Sequence, residues 1–160
     1  RITRITRING GSKKIRAYTR DTWKKLKTKN MNIDKLIYET IGASMEVYNT
    51  LGPGLLESVY EKAMFCELSL REINVESHIP VEIIYKNEII GSELRLDLVV
   101  EDILIVELKS VETLMPVHFK QLRTYMKLLD KPAGLLINFN VSDFSSGYRV
   151  LKNNLHVSRG

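Results

Sequence analysis

The chain reads as one α+β domain in which two helices precede a mixed sheet flanked by a third. Three observations lead there. Apolar residues recur with a 3.6-residue period from Ile33 to Val47 and again from Leu55 to Leu70. The pattern then changes to short β-branched runs between Val75 and Lys109. After Pro116 it turns helical once more, ahead of the compact apolar run Ala133 to Phe139. With 160 residues, 44% of them hydrophobic, one core is the default and two independent ones are not expected.

Taken in order, Ile33, Leu36, Ile37, Ile41, Ala43, Val47 and Tyr48 define a first helix ending near Thr50, with Asn32 available as its N-cap. Gly52-Pro53-Gly54 breaks it, because proline cannot continue a helix and glycine accepts backbone angles that other residues refuse. A second helix starts directly afterwards. Leu55, Leu56, Val59, Tyr60, Ala63, Met64, Leu68 and Leu70 give it a wide apolar face running to about Glu72. Val75 to Tyr85, Glu88 to Val100 and Ile103 to Lys109 are expected as three strands. The polar pairs Lys86-Asn87 and Glu101-Asp102 have the two-residue length that joins antiparallel neighbours. A helix over Val117 to Asp130 and a strand buried on both faces over Ala133 to Phe139 complete the order α-α-β-β-β-α-β. Tyr148 to Leu151 is expected as an edge strand or short helix, with a loose tail from Lys152.

The formal charge of +5 is unevenly spread. Residues 1–30 hold 11 Lys/Arg against one acid, a net of +10, so residues 31–160 carry −5. Within the latter, residues 31–108 carry −10 and residues 109–160 carry +5. The first segment opens on the repeat Arg1-Ile2-Thr3-Arg4-Ile5-Thr6-Arg7-Ile8 and shows no sustained helical or strand period. It reads either as a disordered basic arm able to hold a phosphate backbone, or as sequence translated ahead of a true start at Met31. The domain itself is therefore expected over 31–152, with a tail over 153–160. The single Cys66 forms no internal disulfide, and no Cys/His cluster has zinc-site spacing, so a reducing, cytoplasmic setting is expected. No run approaches the roughly 18 apolar residues of a membrane-spanning helix, and no membrane partner is expected.

The informative residues are charges inside apolar strands. Asp97 interrupts Leu96 to Val100, and Glu107 and Lys109 interrupt Ile103 to Leu108. An unpaired ionised carboxylate in a low-dielectric interior loses several kcal/mol of solvation, so it must meet a cation, a metal or hydrogen bonds. Period two puts Glu107 and Lys109 on one face, and a hairpin around Glu101-Asp102 brings Asp97 nearly opposite Glu107. Two readings compete: a structural salt-bridge cluster, or a site whose surplus negative charge accepts a hard divalent cation, Mg2+ or Mn2+.

An acid at one strand end followed by Glu-x-Lys on the next resembles the signature of the PD-(D/E)XK nucleases, with Asp97 as first acid and Glu107-Leu108-Lys109 as the second element. Gly54-Leu55-Leu56-Glu57-Ser58-Val59-Tyr60 is similar to the motif that names the GxxExxY proteins within that superfamily. The likeness extends through His118, Gln121 and Tyr125 to Gly134–Phe139, covering about residues 33–150. It implies a restriction-endonuclease-like αβββαβ core preceded by an extra helix. It further implies a catalytic set of Glu57, Asp97, Glu107, Lys109 and Gln121. The metal would be held by Asp97, Glu107 and the Leu108 backbone carbonyl, with Glu57 contributing directly or through water. Tyr60, His118 and Tyr125 have supporting places in this pattern. Lys120, Arg123 and Lys127, spaced three and four apart, could track a phosphate backbone. The expected activity is metal-dependent phosphodiester hydrolysis in nucleic acid, DNA before RNA, with a homodimer possible. The rival is a non-catalytic nucleic-acid- or protein-binding module on the same fold.

Overall fold

The computed structural model describes residues 32–153, so the expected arm and most of the expected tail lie outside the described residues. The elements are α1 (Ile33–Leu51), α2 (Glu57–Leu70), β1 (Val75–Tyr85), β2 (Glu88–Val100), β3 (Leu104–Lys109), α3 (Pro116–Leu128), β4 (Ala133–Asn138) and β5 (Tyr148–Lys152). The strands form one sheet in the order β1-β2-β3-β4-β5. β3 and β4 run parallel across the α3 crossover, and the other neighbours are antiparallel. The element order is the one expected from the residue pattern, and the mixed sheet agrees with the restriction-endonuclease-like core that the resemblance implies.

Local chemistry accounts for the boundaries. The Asn32 side chain accepts from the Lys35 N–H at 3.1 Å, capping α1 as anticipated. α2 begins at Glu57, two residues later than the apolar pattern alone suggests, because Leu55 and Leu56 belong to the turn after Gly54. Gly52 and Gly54 adopt φ of 70° and 95°, conformations that side-chain-bearing residues rarely hold. Lys86-Asn87 is a two-residue hairpin turn with both φ positive. The β2–β3 connection is longer than the two residues expected. Val100 pairs with Leu104, which makes Glu101-Asp102-Ile103 a three-residue loop, and Ile103 turns its side chain into the core. α3 stops at Leu128, two residues short of the expected end, where Leu129 and Asp130 form the closing turn. Lys131 then ties to the Asp102 carbonyl and carboxylate at 2.8 and 2.7 Å. Tyr148–Lys152 resolves as an edge strand, and Lys152 is not loose: it pairs with Ala133 and meets Asp34.

The sheet is covered where its strands are most apolar. Every residue of β4 is buried, as are Leu104–Leu108 of β3. Ile105, Leu136 and Val99 pack with Leu122, Tyr125 and Met126 of α3. The close seat of α3 depends on Gly134. A Cβ there would lie 2.8 Å from both Leu122 Cδ1 and Met126 Sδ. Gly134→Ala is expected to destabilise the fold by about 1–3 kcal/mol through overpacking, read as a lower urea midpoint with unchanged m-value.

Candidate active site

β2 and β3 stop pairing at the level of the acids. Their ladder runs over Val100↔Leu104, Val99↔Ile105 and Leu98↔Val106, and the next step would oppose Asp97 to Glu107. There the Asp97 carboxylate replaces a ladder carbonyl, Oδ2 accepting the Leu108 backbone N–H at 2.8 Å. Its second oxygen has no hydrogen-bond partner among the described residues. Glu107 lies on the adjacent strand, 2% exposed, with Oε2 3.8 Å from the Lys109 ammonium. The other carboxylate oxygen of Glu107, Oε1, is buried without any hydrogen-bond partner. Lys109 is itself largely covered. The two acids and the lysine therefore converge as strand period and hairpin register suggested.

Electrostatics express the cost of this arrangement. Burial, reinforced by the Asp97 charge, pushes the Glu107 carboxyl up to about 8, against the partial relief that Lys109 and the Asp97 backbone N–H give. Burial raises Asp97 as well, opposed chiefly by the Leu108 N–H and Lys109. A single lysine does not compensate one buried and one half-buried carboxylate, and an orphaned acceptor remains. The unpartnered oxygens are hard donors, the type that magnesium or manganese prefers. A divalent cation fits this donor set. Among the described residues no three His, Cys, Asp or Glu side chains are gathered closely enough to hold a metal unaided.

Glu57, at the first position of α2, favours the positive end of the helix dipole and reaches the end of β3, where Oε1 accepts from the Ser110 N–H at 3.1 Å. Its charge is felt at both Asp97 and Glu107. Committed to Ser110, it suits a contribution through water better than direct ligation. Tyr60 does not touch Glu57. It is buried, donates to the Gly52 carbonyl at 2.6 Å, accepts from the Leu55 N–H at 3.1 Å and stacks on Phe139 at 4.2 Å. Its role is to clamp the Gly-Pro-Gly turn from which Glu57 is launched. Tyr60→Phe keeps the stacked ring but strands two polar groups, and it is expected to cost about 1–3 kcal/mol in chemical denaturation.

On α3, Gln121 Nε2 donates to the Tyr125 hydroxyl at 2.8 Å. Burial raises the Tyr125 phenol, with Glu107 and Asp97 adding to the effect, which places the pair beside the acids. His118 Nδ1 accepts the Met115 N–H at 3.1 Å, capping the start of α3. Lys120, Arg123 and Lys127 are exposed along that helix.

Four participants escaped the sequence reading. Ser110 receives Glu57 and donates its hydroxyl to the Leu55 carbonyl at 2.6 Å. Asn138, 2% exposed, clamps Val111 through both backbone groups at 3.0 and 2.7 Å. A polar residue closing an apolar strand was the available signal for it. Glu61, one turn after Glu57, pairs with His78 at 2.9 Å. His78 lies between the pairs Ser77↔Leu98 and Ile79↔Leu96, hence opposite Asp97, and holds φ of 54°. No sequence pattern announced that backbone angle.

A mixed five-stranded sheet whose central strands splay around two acids and a lysine, with a helix-borne glutamate at the end of β3, defines a nuclease-like class of protein. The family model described as the PD-(D/E)XK nuclease superfamily matches residues 34–150, and the chain belongs to that superfamily. Searches of curated proteins and of solved structures gave no significant match.

Proposed function

We propose that this protein is a divalent-metal-dependent nuclease that hydrolyses phosphodiester bonds in nucleic acid, DNA in preference to RNA. The observation that carries the reading is the buried, unpartnered Oε1 of Glu107 beside a second, half-buried acid. Ionised together, such a pair costs the fold several kcal/mol of lost solvation that a bound cation would offset. The Gly54–Tyr60 motif supports a finer place among the GxxExxY proteins.

In this reading Asp97, Glu107 and the Leu108 carbonyl hold Mg2+ or Mn2+, and Glu57 adds support through water. When bound, the ion supplies Lewis-acid chemistry, polarising water and offsetting charge on the phosphoryl oxygens. The chain's own groups do the rest. Lys109 orients the attacking water and donates to the charge that develops in the transition state. Gln121, held by Tyr125, positions the strand next to the acids, while Lys120, Arg123 and Lys127 take backbone phosphates without reading sequence. His118 shapes the entry to α3 and takes no part in the chemistry.

The test is cleavage of end-labelled DNA and RNA by the purified protein in magnesium, in manganese and in EDTA. Metal-dependent cleavage is expected, together with a rise in melting temperature on metal addition at low concentration. A protein that binds nucleic acid but never cuts it in either metal is instead a binding module on this fold.

A further inference from the structure

A cavity of about 260 Å³ opens beyond the C-terminal ends of β3 and β4. Glu112, Leu114, Phe119, Ser146 and Arg149 contribute to its walls, and Asn138 to its floor. It neighbours the acids and lysine, since Asn138 pairs in register with Lys109 and clamps the loop that follows it. None of the roles assigned above makes use of it.

The cavity is built rigidly. Asn138 N–H donates to the Gly147 carbonyl at 2.7 Å, and a Cβ on Gly147 would lie 2.7 Å from the Asn138 backbone oxygen, so the wall after the 3-10 turn Phe144–Ser146 is fastened against β4. One end of the Arg149 guanidinium is pinned, Nη1 donating to the Tyr148 carbonyl at 2.7 Å and the Ser146 carbonyl at 3.1 Å. Its remaining N–H groups make no hydrogen bond or ion pair with the described residues. A pre-oriented guanidinium presents donors in the planar fork that matches phosphate oxygens. Leu114 with Phe119 supplies an apolar and aromatic wall for a base.

From this set we infer that the pocket binds one nucleoside monophosphate unit: the phosphate on Arg149 and the base against Phe119. Resting on the nuclease reading, this makes the substrate a strand with a phosphorylated end seated beside the scissile bond, or makes the ligand a released mononucleotide.

Binding is measured by fluorescence anisotropy with calcium replacing magnesium, using short labelled oligodeoxynucleotides that carry a 5′-phosphate, a 3′-phosphate or hydroxyl ends. The wild type is expected to favour one phosphorylated form by about tenfold or more, the scale of a bidentate charge-assisted contact. Arg149→Gln is expected to remove that preference and leave hydroxyl-ended binding unchanged. Arg149→Lys, which keeps the charge but not the fork, restores only part of it. Deoxyadenosine monophosphate is expected to compete: equal affinity assigns the pocket to free mononucleotide, and weaker competition assigns it to the strand end. Equal affinity of the wild type for phosphorylated and hydroxyl ends overturns the proposal, as does an equal loss on both in Arg149→Gln. A wild type that shows the preference yet never cuts in magnesium leaves the pocket standing and removes the nuclease reading. Cutting without end preference does the reverse.

Discussion

Lys109→Ala is expected to lower phosphodiester cleavage by about 10²–10³-fold or more, the loss typical of removing one pre-organised donor to transition-state charge. The fold should survive it. Lys109 stands at the end of β3, its ammonium 3.8 Å from a Glu107 carboxyl that readily holds a proton. Removing the cation therefore leaves Glu107 free to neutralise itself instead of forcing an unpaired charge into the core. A small change in melting temperature with a large change in kcat separates catalysis from folding. Substrate binding in calcium should stay within a few-fold of wild type, because Lys120, Arg123 and Lys127 are untouched. Cleavage that persists in this variant would mean that Lys109 has no catalytic role.

Glu107→Gln is expected to act in opposite directions on activity and on stability. Without metal, burial lifts the Glu107 carboxyl from an ordinary 4.5 to about 8. At about 1.4 kcal/mol for each tenfold change in proton affinity, ionising it inside the fold costs on the order of 5 kcal/mol. The folded form holds this proton more tightly than the unfolded chain does. The stability associated with it is complete below pH 4.5 and is lost as pH rises toward 8. In EDTA the wild type should thus weaken between pH 5 and pH 8.5. The amide variant should show a flatter profile and, at the upper end, exceed the wild type by about 2 kcal/mol or more, some of the gain being spent on an amide that also lacks partners. Activity should vanish. Urea titrations at the two pH values, with and without manganese, measure both effects. A variant less stable than the metal-free wild type at pH 8.5 would show that Glu107 is a structural ion-pair member.

Most of the fold was legible because periodicity and turn chemistry act locally. The ends of β1 and β2 fall where β-branched runs meet polar turn residues, and Asn32 caps α1 because an asparagine in extended geometry can reach the third N–H. Errors arose where a tertiary contact decided. Leu55 and Leu56 continue an apolar helical stripe, yet Tyr60 holds Leu55 in the preceding turn. Ile103 looks like strand but closes a loop, because its side chain is drawn into the core. The acids and lysine were legible by cost, since a charge in an apolar strand demands a reason. Tyr60 and His118 match a sequence pattern, whereas their geometry assigns them to a turn and a cap. Ser110, Glu61 and His78 stayed hidden because neither a backbone N–H acceptor pair nor a positive φ leaves a mark in residue type.

Crystals grown with manganese and measured at its absorption edge test the central claim most directly. A single anomalous peak is expected between Asp97 and Glu107, in contact with Oε1 of Glu107, and it should be lost in Glu107→Gln. Manganese bound only elsewhere, with that oxygen still unpartnered under saturating metal, contradicts a cation-dependent nuclease site in this protein.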